Sequence, residues 1–288
     1  MNGEWKVITR GLLATAAWCL LSGMPIQADE AQTTKLVQLF VDEFVSITPG
    51  QSPFPATFEM GNKTGDPSEQ PPHSVTMTRP FAMAKYEVPQ NLYEAVMGTN
   101  PSRWKGPRNS VEMMSWDEAN EFCRKVTVLA RSQQRIADDE SIRLPTEAEW
   151  EYCCRAGTTT RYSFGDEAQR ASDVSPKATL LNDYGWHTGN AKGNDPPVGA
   201  LKPNPWGLYD MHGYLWEFIA DAWSANYEQA PTDGLSVKPN PQTKTIVVRS
   251  GSWKDDFSKL TSSARRQMSR TGKDDAVGFR CVKSKVVD

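Results

Sequence analysis

The stretch that decides the fold reads Pro203-Asn-Pro-Trp-Gly-Leu-Tyr-Asp-Met-His-Gly-Tyr-Leu-Trp-Glu-Phe218. Its two glycines, Gly207 and Gly213, predict turns, because glycine adopts backbone conformations that other residues avoid. Its aromatic residues predict burial, since large rings usually pack in a core. Taken alone, the stretch predicts turns held in place by buried aromatic side chains.

The composition around this stretch is that of a loop-rich globular protein. A length of 288 residues allows one large domain or two small ones. Hydrophobic residues make up 38% of the chain and ten are tryptophan, which is enough for a sizeable core. Twenty glycines and twenty prolines favour loops over a helical bundle. The net charge of -3 gives no reason to expect nucleic acid or an anionic membrane as a partner.

Residues 1–28 have the pattern of a secretory signal peptide. Lys6 and Arg10 precede an apolar run over 12–21, and Ala28 is a suitable cleavage site. The run is shorter than the ~20 residues that a membrane span needs, although an uncleaved anchor is the alternative. We therefore expect an exported protein, periplasmic or secreted, without a stable membrane anchor.

Two helix starts are the clearest local signals. Ser115 with Glu118, and Thr146 with Glu149, have the spacing of capping boxes, in which side chain and backbone at a helix start satisfy each other. A third helix is expected over 89–98. Strands are expected over 54–61, 74–78, 81–88, 245–249 and 277–282, with an irregular stretch of about a hundred residues after Gly157. Residues 29–50 form a lead-in whose apolar patch, 36–41, is either a helix or a first strand.

Several motifs recur in a fixed order along the chain. They are Phe58-Glu-Met-Gly61, Lys85-Tyr-Glu-Val88, Asn100-Pro-Ser-Arg103, Val111-Glu-Met-Met-Ser-Trp116, Arg143-Leu-Pro-Thr-Glu-Ala-Glu-Trp-Glu-Tyr152, the stretch quoted above, Gly251-Ser-Trp253 and Gly278-Phe-Arg-Cys281. Each motif is unremarkable by itself, but together they resemble the formylglycine-generating enzyme, or sulfatase-modifying factor, family. The resemblance implies an irregular α+β domain of the C-type-lectin-like fold over residues 51–285.

The resemblance also implies a position for catalysis. The family's oxidase holds copper with two cysteines placed after the Gly-Ser-aromatic motif, and these positions are here Asp255 and Leu260. Soft thiolates select Cu(I), whereas a carboxylate and an aliphatic side chain do not. We therefore expect no copper site, while Ser252, Trp253, Arg265 and Arg266 match parts of the family's pocket.

A structural calcium ion is the metal that the resemblance implies. Calcium takes six to eight oxygen ligands, which loops supply readily. The carried-over ligands are the side chains of Asp210 and Glu217 and the carbonyls of Met211, Gly213 and Leu215. The alternative for Glu217 is a buried hydrogen bond or a pair with an arginine. A second calcium loop is reduced to Asn190, with Asn194 and Asp195 as further candidates.

Four cysteines follow the signal segment. The resemblance pairs Cys123 with Cys281 in a disulfide, and two buried free thiols are the alternative. Cys153 and Cys154 are adjacent in a predicted helix, so they point about 100° apart and cannot easily bridge each other. We expect both to be buried and structural. The three histidines are scattered, which argues against a histidine-rich metal site.

Two classes of function follow from these observations. The first is an oxidoreductase that acts on protein cysteine, as the family's oxidase does when it makes formylglycine, with metal ligands moved elsewhere. The second is a calcium-stabilised, non-catalytic module, monomeric, that binds a peptide, protein or glycan. Asp255 and Leu260 favour the second class.

Overall fold

The computed structural model describes residues 24–193 and 195–286. Its helices are α1 (Met24–Asp42), α2 (Gln90–Met97), α3 (Trp116–Ser132) and α4 (Glu147–Arg155). Its strands are β1 (Phe44–Ile47), β2 (Thr57–Met60), β3 (His73–Thr76), β4 (Phe81–Ala84), β5 (Glu140–Arg143), β6 (Trp216–Ala222), β7 (Thr245–Arg249), β8 (Arg265–Ser269), β9 (Val277–Gly278) and β10 (Val282–Lys285). Within these residues, no helix combines the length and apolar character that a membrane crossing requires. Most of the proposed signal peptide lies outside the described residues.

The first sheet joins the two ends of the described chain. Its strand order is β1-β4-β10-β5, all antiparallel, with Phe44 opposite Ala84 at one edge. The apolar patch over 36–41 is helical, the first of the two alternatives, and it places Val37 and Phe40 in the core. The lead-in therefore belongs to the packed domain, which extends N-terminally beyond residue 51.

Both predicted capping boxes are present. The Ser115 side chain accepts from the Glu118 amide, and the Glu118 carboxylate accepts from the Ser115 amide. Thr146 and Glu149 pair in the same way. The third predicted helix ends as expected at Gly98, whose φ of 80° suits glycine. The starts of α3 and α4 and the end of α2 thus lie where local chemistry predicts, because these caps depend on near neighbours in the sequence.

The second sheet carries the candidate site. Its order is β8-β7-β6-β9, with β6 and β9 parallel and the other pairs antiparallel. The predicted strand over 277–282 is two strands in different sheets, β9 and β10, separated by Phe279–Cys281. The irregular stretch ends earlier than expected, at β6, because Trp216 and Glu217 pair with Val277 and Gly278. These pairing partners lie 61 residues further along the chain, so they leave no local signal.

Candidate functional site

A buried ionic framework lies under the site. Arg280 donates two hydrogen bonds to Glu217, from Nε at 2.7 Å and from Nη2 at 2.8 Å, and Trp150 donates a third at 2.8 Å. Arg249 bonds Glu147 and Glu151, at 3.0 and 2.6 Å. These side chains are almost completely buried. Buried charges are tolerated only when they are paired in this way.

Two carboxylates near the proposed calcium ligands each have one oxygen without a hydrogen-bond partner: Asp210, inside the ligand segment, and Glu87, outside it. Asp210 Oδ2 accepts from the Gly199 amide, and Glu87 Oε1 accepts from the Leu215 amide. The other oxygens, Asp210 Oδ1 and Glu87 Oε2, are buried without a hydrogen bond. Burial raises the pKa of Asp210 to about 6, and burial with the nearby charge of Glu217 raises the pKa of Glu87 well above its usual range. A cation bound between these oxygens would offset the free-energy cost of burying two carboxylates without full pairing.

Three of the other four carried-over ligands are already engaged. Glu217 is held by Arg280 and Trp150, which is the alternative noted for it. The Met211 carbonyl accepts from Cys154 Sγ at 3.3 Å, and the Gly213 carbonyl accepts from the Trp186 amide at 3.3 Å. The described residues contain no cluster of three or more His, Cys, Asp or Glu side chains arranged to hold a metal. The fit to calcium therefore rests on Asp210 and Glu87.

The second calcium loop is partly described. Asn190 uses its side chain within the loop, accepting from the His187 amide and donating to the Gly185 carbonyl. Asp195 accepts from Tyr214 at 2.7 Å and from Asn109 at 2.6 Å. Asn194 lies outside the described residues. The Asn190 and Asp195 side chains are thus committed to different partners.

The loop over residues 251–260 contains Asp255 and Leu260, the two positions that the resemblance assigns to the copper ligands. Asp255 Oδ2 accepts from the Ser252 amide and hydroxyl and from Trp216 Nε1 at 2.8 Å. Leu260 is fully buried in a small cluster with Tyr162 and Leu181. Both positions have become structural, one through hydrogen bonds and one through apolar packing.

The remaining pocket candidates divide into two groups. Trp253 and Arg266 are partly exposed, and the Arg266 guanidinium lies 4.7 Å from the centre of the Trp216 ring. Arg265 is buried and donates to Glu147 from Nε at 2.7 Å and from Nη2 at 2.9 Å. Arg265 therefore belongs to the ionic framework and not to a ligand-facing surface.

The cysteines fall into two separate places. Cys153 and Cys154 are fully buried, as expected, and burial raises the pKa of Cys154 to about 12. A thiol with a raised pKa stays protonated and is a poor metal ligand. Cys123 and Cys281 have their sulfur atoms 3.7 Å apart as free thiols. The disulfide between them stays a prediction.

His212 is the most constrained histidine. Its Nδ1 lies 2.9 Å from the Leu260 carbonyl, and Nε2 accepts from the Ser163 amide at 3.0 Å. An amide can donate only to an unprotonated nitrogen, so the ring is neutral with its proton on Nδ1. Burial lowers the pKa of His212 to about 4. His212 therefore links the end of the 251–260 loop to Ser163 as a neutral ring.

A polar cleft of about 820 Å³ begins where this loop ends. Residues 258–263 form one wall, the 61–66 segment forms the second, and the end of α4 with residues 157–161 forms the third. Glu69, only 5% exposed, lies at its floor. The cleft is thus adjacent to the family's catalytic position but does not include Asp255.

Two buried acidic residues, Glu87 near the proposed calcium ligands and Glu69 in the cleft, were not predicted from the sequence. Glu87 lies inside the Lys85-Tyr-Glu-Val88 motif, and Glu69 opens the Glu69-Gln-Pro-Pro-His73 stretch. For Glu87, a carboxylate inside a run of buried residues was the available signal, because burial of a charge needs a reason. Glu69 lies between the partly exposed Ser68 and Gln70 and gave no such signal. Neither residue has a charged neighbour in sequence that would mark it as a site.

The fold and site together define an α+β protein of the C-type-lectin-like class. The solved structure of PvdO from Pseudomonas aeruginosa superposes with a TM-score of 0.67 at 25% identity, covering 81% of this chain and 93% of PvdO. A family model for the sulfatase-modifying factor enzyme 1-like domain matches residues 30–285. The chain belongs to this family, and the match includes the lead-in that the sequence separated from the domain.

Two curated relatives show how the family varies. The formylglycine-generating enzyme of Thermomonospora curvata is 31% identical over 57% of this chain, and the match spans 50% of that enzyme. The chaperone protein LppX of Paenibacillus barcinonensis is 25% identical over 71% of this chain and 80% of LppX. The scaffold therefore occurs both in proteins named for the oxidase and in one named as a chaperone.

Proposed function

We propose that this chain is an exported, calcium-stabilised member of the family that binds a polypeptide and does not oxidise cysteine through copper. One observation carries the proposal: both copper positions are occupied by side chains with structural contacts. Asp255 is bound by Ser252 and Trp216, and Leu260 is packed in the core. Neither offers the soft thiolate that Cu(I) requires.

The oxidase hypothesis with relocated ligands finds little support in the remaining cysteines. Cys153 and Cys154 are adjacent and fully buried, and burial raises the pKa of both thiols. Metal binding there would require a path through the core and deprotonation of a stabilised thiol. The cleft beside the 251–260 loop, in contrast, is open to a ligand.

A polypeptide fits the cleft better than a glycan does. Sugar rings pack their apolar faces on exposed aromatic rings, and the aromatic residues that line the cleft are Phe58 and Tyr152. Tyr152 is buried and its hydroxyl donates to the Pro55 carbonyl at 2.7 Å. The similarity to a relative named as a chaperone protein also supports a protein ligand.

A Cu(I) titration against a chelator probe under reducing conditions tests the catalytic half of the proposal. We expect no tight binding by the wild-type chain from residue 29 onward. A Cys153→Ala/Cys154→Ala variant is the matched control. Tight wild-type binding that this variant loses would contradict the proposal and make cysteine-peptide oxidation the next assay.

Calcium is proposed as the structural ion, held by Asp210 and Glu87. A ligand that binds only the folded state stabilises it by about 2.7 kcal/mol when present at 100 times its dissociation constant. Thermal unfolding with calcium and with chelator should therefore differ in the wild type and not in Glu87→Gln. An unchanged midpoint on chelation would remove calcium from the proposal.

Export is testable at the N-terminus. The apolar run and Ala28 support cleavage before Asp29. Cleavage there would remove the beginning of α1 and leave Val37 and Phe40 in the core. We expect the mature chain to begin at Asp29 in the exported fraction, by N-terminal sequencing after cell fractionation. A full-length chain in the cytosolic fraction would contradict export.

A further inference from the structure

Two adjacent arginines at the start of β8 have different surroundings. Successive side chains of a strand point to opposite faces of the sheet. Arg265 is buried and pairs with Glu147, whereas Arg266 points to the other face and is partly exposed. The Arg266 guanidinium forms no hydrogen bond or ion pair with any described residue, and its Nε is buried without a partner. Arg266 is therefore a partly buried cation without a compensating anion.

A rigid aromatic surface holds this guanidinium in place. Arg266 lies opposite Val248 in the pairing of β7 with β8, and its guanidinium carbon is 4.7 Å from the centre of the Trp216 ring. Trp216 is buried, and its Nε1 donates to Asp255 Oδ2 at 2.8 Å, which fixes the position of the indole. A guanidinium stacked on an indole keeps its charge and its in-plane hydrogen-bond donors. The stacking therefore orients these donors without satisfying them.

The acidic residues of the neighbouring loops are committed to other partners. Asp255 Oδ2 accepts three hydrogen bonds, including the one from the indole, and the carboxylate forms no ion pair with Arg266 in the described part of the chain. Asp275, in the loop before β9, pairs with Arg103 and Lys254. The charge of Arg266 is therefore available to an anion from outside the chain.

The donors and the nearby acid together select the chemistry of the ligand. The parallel N–H groups of a guanidinium match the two oxygens of a planar carboxylate, which it binds through two hydrogen bonds. Such charge-assisted bonds are stronger in a partly buried site than in open solvent. Asp255 is bonded to the edge of the same indole, so its negative charge disfavours a doubly charged anion more than a singly charged one. A monocarboxylate satisfies both conditions.

From this geometry we propose that Arg266, supported by the Trp216 ring, binds the carboxylate group of a small organic acid. The site is separate from the polar cleft, whose lining contains neither residue. The proposal therefore does not depend on polypeptide binding, and each of the two can be contradicted without the other.

An NMR titration of the isotope-labelled chain from residue 29 onward with sodium acetate, at an ionic strength held constant with sodium chloride, tests the proposal. The signal to follow is the Trp216 Nε1–H, which lies beside the site and persists in every variant. We expect a saturable shift with a dissociation constant on the order of 10 mM, because a single charge-assisted contact binds weakly.

Two variants assign the shift to a residue. Arg266→Gln removes the charge and should abolish the shift. Arg161→Gln is the matched control, because Arg161 also stacks on an aromatic ring, at 6.0 Å from the centre of Tyr162, but is exposed. This control should shift as the wild type does. A wild type without a saturable shift, or an equal shift in Arg266→Gln, would overturn the proposal.

Two further ligands test the chemistry of the bound group. Sodium sulfate should bind more weakly than acetate because of the charge of Asp255, and tighter sulfate binding would contradict the assignment to a carboxylate. Blocked glutamate, N-acetylglutamate amide, should also bind more weakly than acetate. Equal or tighter binding of blocked glutamate would assign the site to an acidic protein side chain and contradict the small-acid ligand.

A conservative variant keeps the test decisive if Arg266→Gln does not fold, as judged by circular dichroism. Arg266→Lys keeps the charge but loses the paired planar donors, so we expect acetate to bind about tenfold more weakly. An unchanged affinity would show that the guanidinium does not hold the carboxylate and would overturn the proposal.

Discussion

The ionic framework and the 251–260 loop are adjacent in the chain, yet different interactions hold them: buried ion pairs in the framework, and hydrogen bonds with one buried leucine in the loop. Arg249, the last residue of β7, forms ion pairs with Glu147 and Glu151. Asp255 and Leu260 lie at the positions that the resemblance assigns to the copper ligands. The comparison indicates that the contacts that stabilise this scaffold lie apart from the positions that the resemblance assigns to the oxidase chemistry. Leu260 is buried at one of these positions, whereas most of the 251–260 loop is partly or fully exposed.

Removal of one framework partner should have the largest effect. Arg280→Met would leave Glu217 fully buried with Trp150 as its remaining donor. Breaking a buried ion pair costs about 3–5 kcal/mol, so we expect a loss of that size in urea unfolding. Arg124→Met, which breaks an exposed pair with Glu121, is the control and should cost under about 1 kcal/mol. Equal losses of stability in the two variants would contradict the view that the buried framework stabilises the fold more than exposed ion pairs do.

A truncation in the loop tests whether it has become core. Leu260 is fully buried against Tyr162 and Leu181, so Leu260→Ala should destabilise by about 2–5 kcal/mol. Leu235→Ala is the matched control, because Leu235 is 43% exposed. If both variants unfold at the same urea concentration, Leu260 does not stabilise the fold, and the loop remains available for another role.

Acidification tests the histidine that anchors the loop. The folded pKa of His212, about 4, lies below its ordinary value of 6.5, so the unfolded chain binds the proton more tightly. This contribution to stability is complete above pH 6.5 and is lost as the pH falls toward 4. The loss should approach about 3 kcal/mol, since each unit of pKa corresponds to about 1.4 kcal/mol.

Urea unfolding between pH 7 and pH 4 measures this slope. His212→Gln should be less stable at pH 7 and should lose less stability on acidification than the wild type does. A slope identical to that of the wild type would assign the acid sensitivity to other groups.

The smallest expected effect is at a helix cap. Thr146→Ala removes the side chain that accepts from the Glu149 amide and donates to the Gly234 carbonyl. Loss of such a cap costs about 0.5–2 kcal/mol. Ser115→Ala at α3 should fall in the same range by thermal unfolding. A loss above that of Arg280→Met would place the main support of the scaffold in its helix starts and not in its framework.

Much of the local structure could be predicted from sequence. The capping boxes at Ser115 and Thr146, the end of α2 at Gly98 and the strand over 245–249 are all confirmed, because each depends on residues close in the chain. Strands β1, β5, β6 and β8 were missed. Their short segments acquire their identity from partners far away in sequence, such as Gly278 for Glu217.

The sequence by itself determined the family and the absence of thiolates at positions 255 and 260, since motif order and residue identity need no coordinates. Only the tertiary structure decided what replaced the thiolates and where charge remains incompletely paired. Asp255 finds Trp216 at a separation of 39 residues, Glu217 finds Arg280 at 63, and Glu69 finds Ser263 at 194. The physical reason is that the energy of a buried charge depends on the groups around it in space, which the order of residues along the chain does not specify.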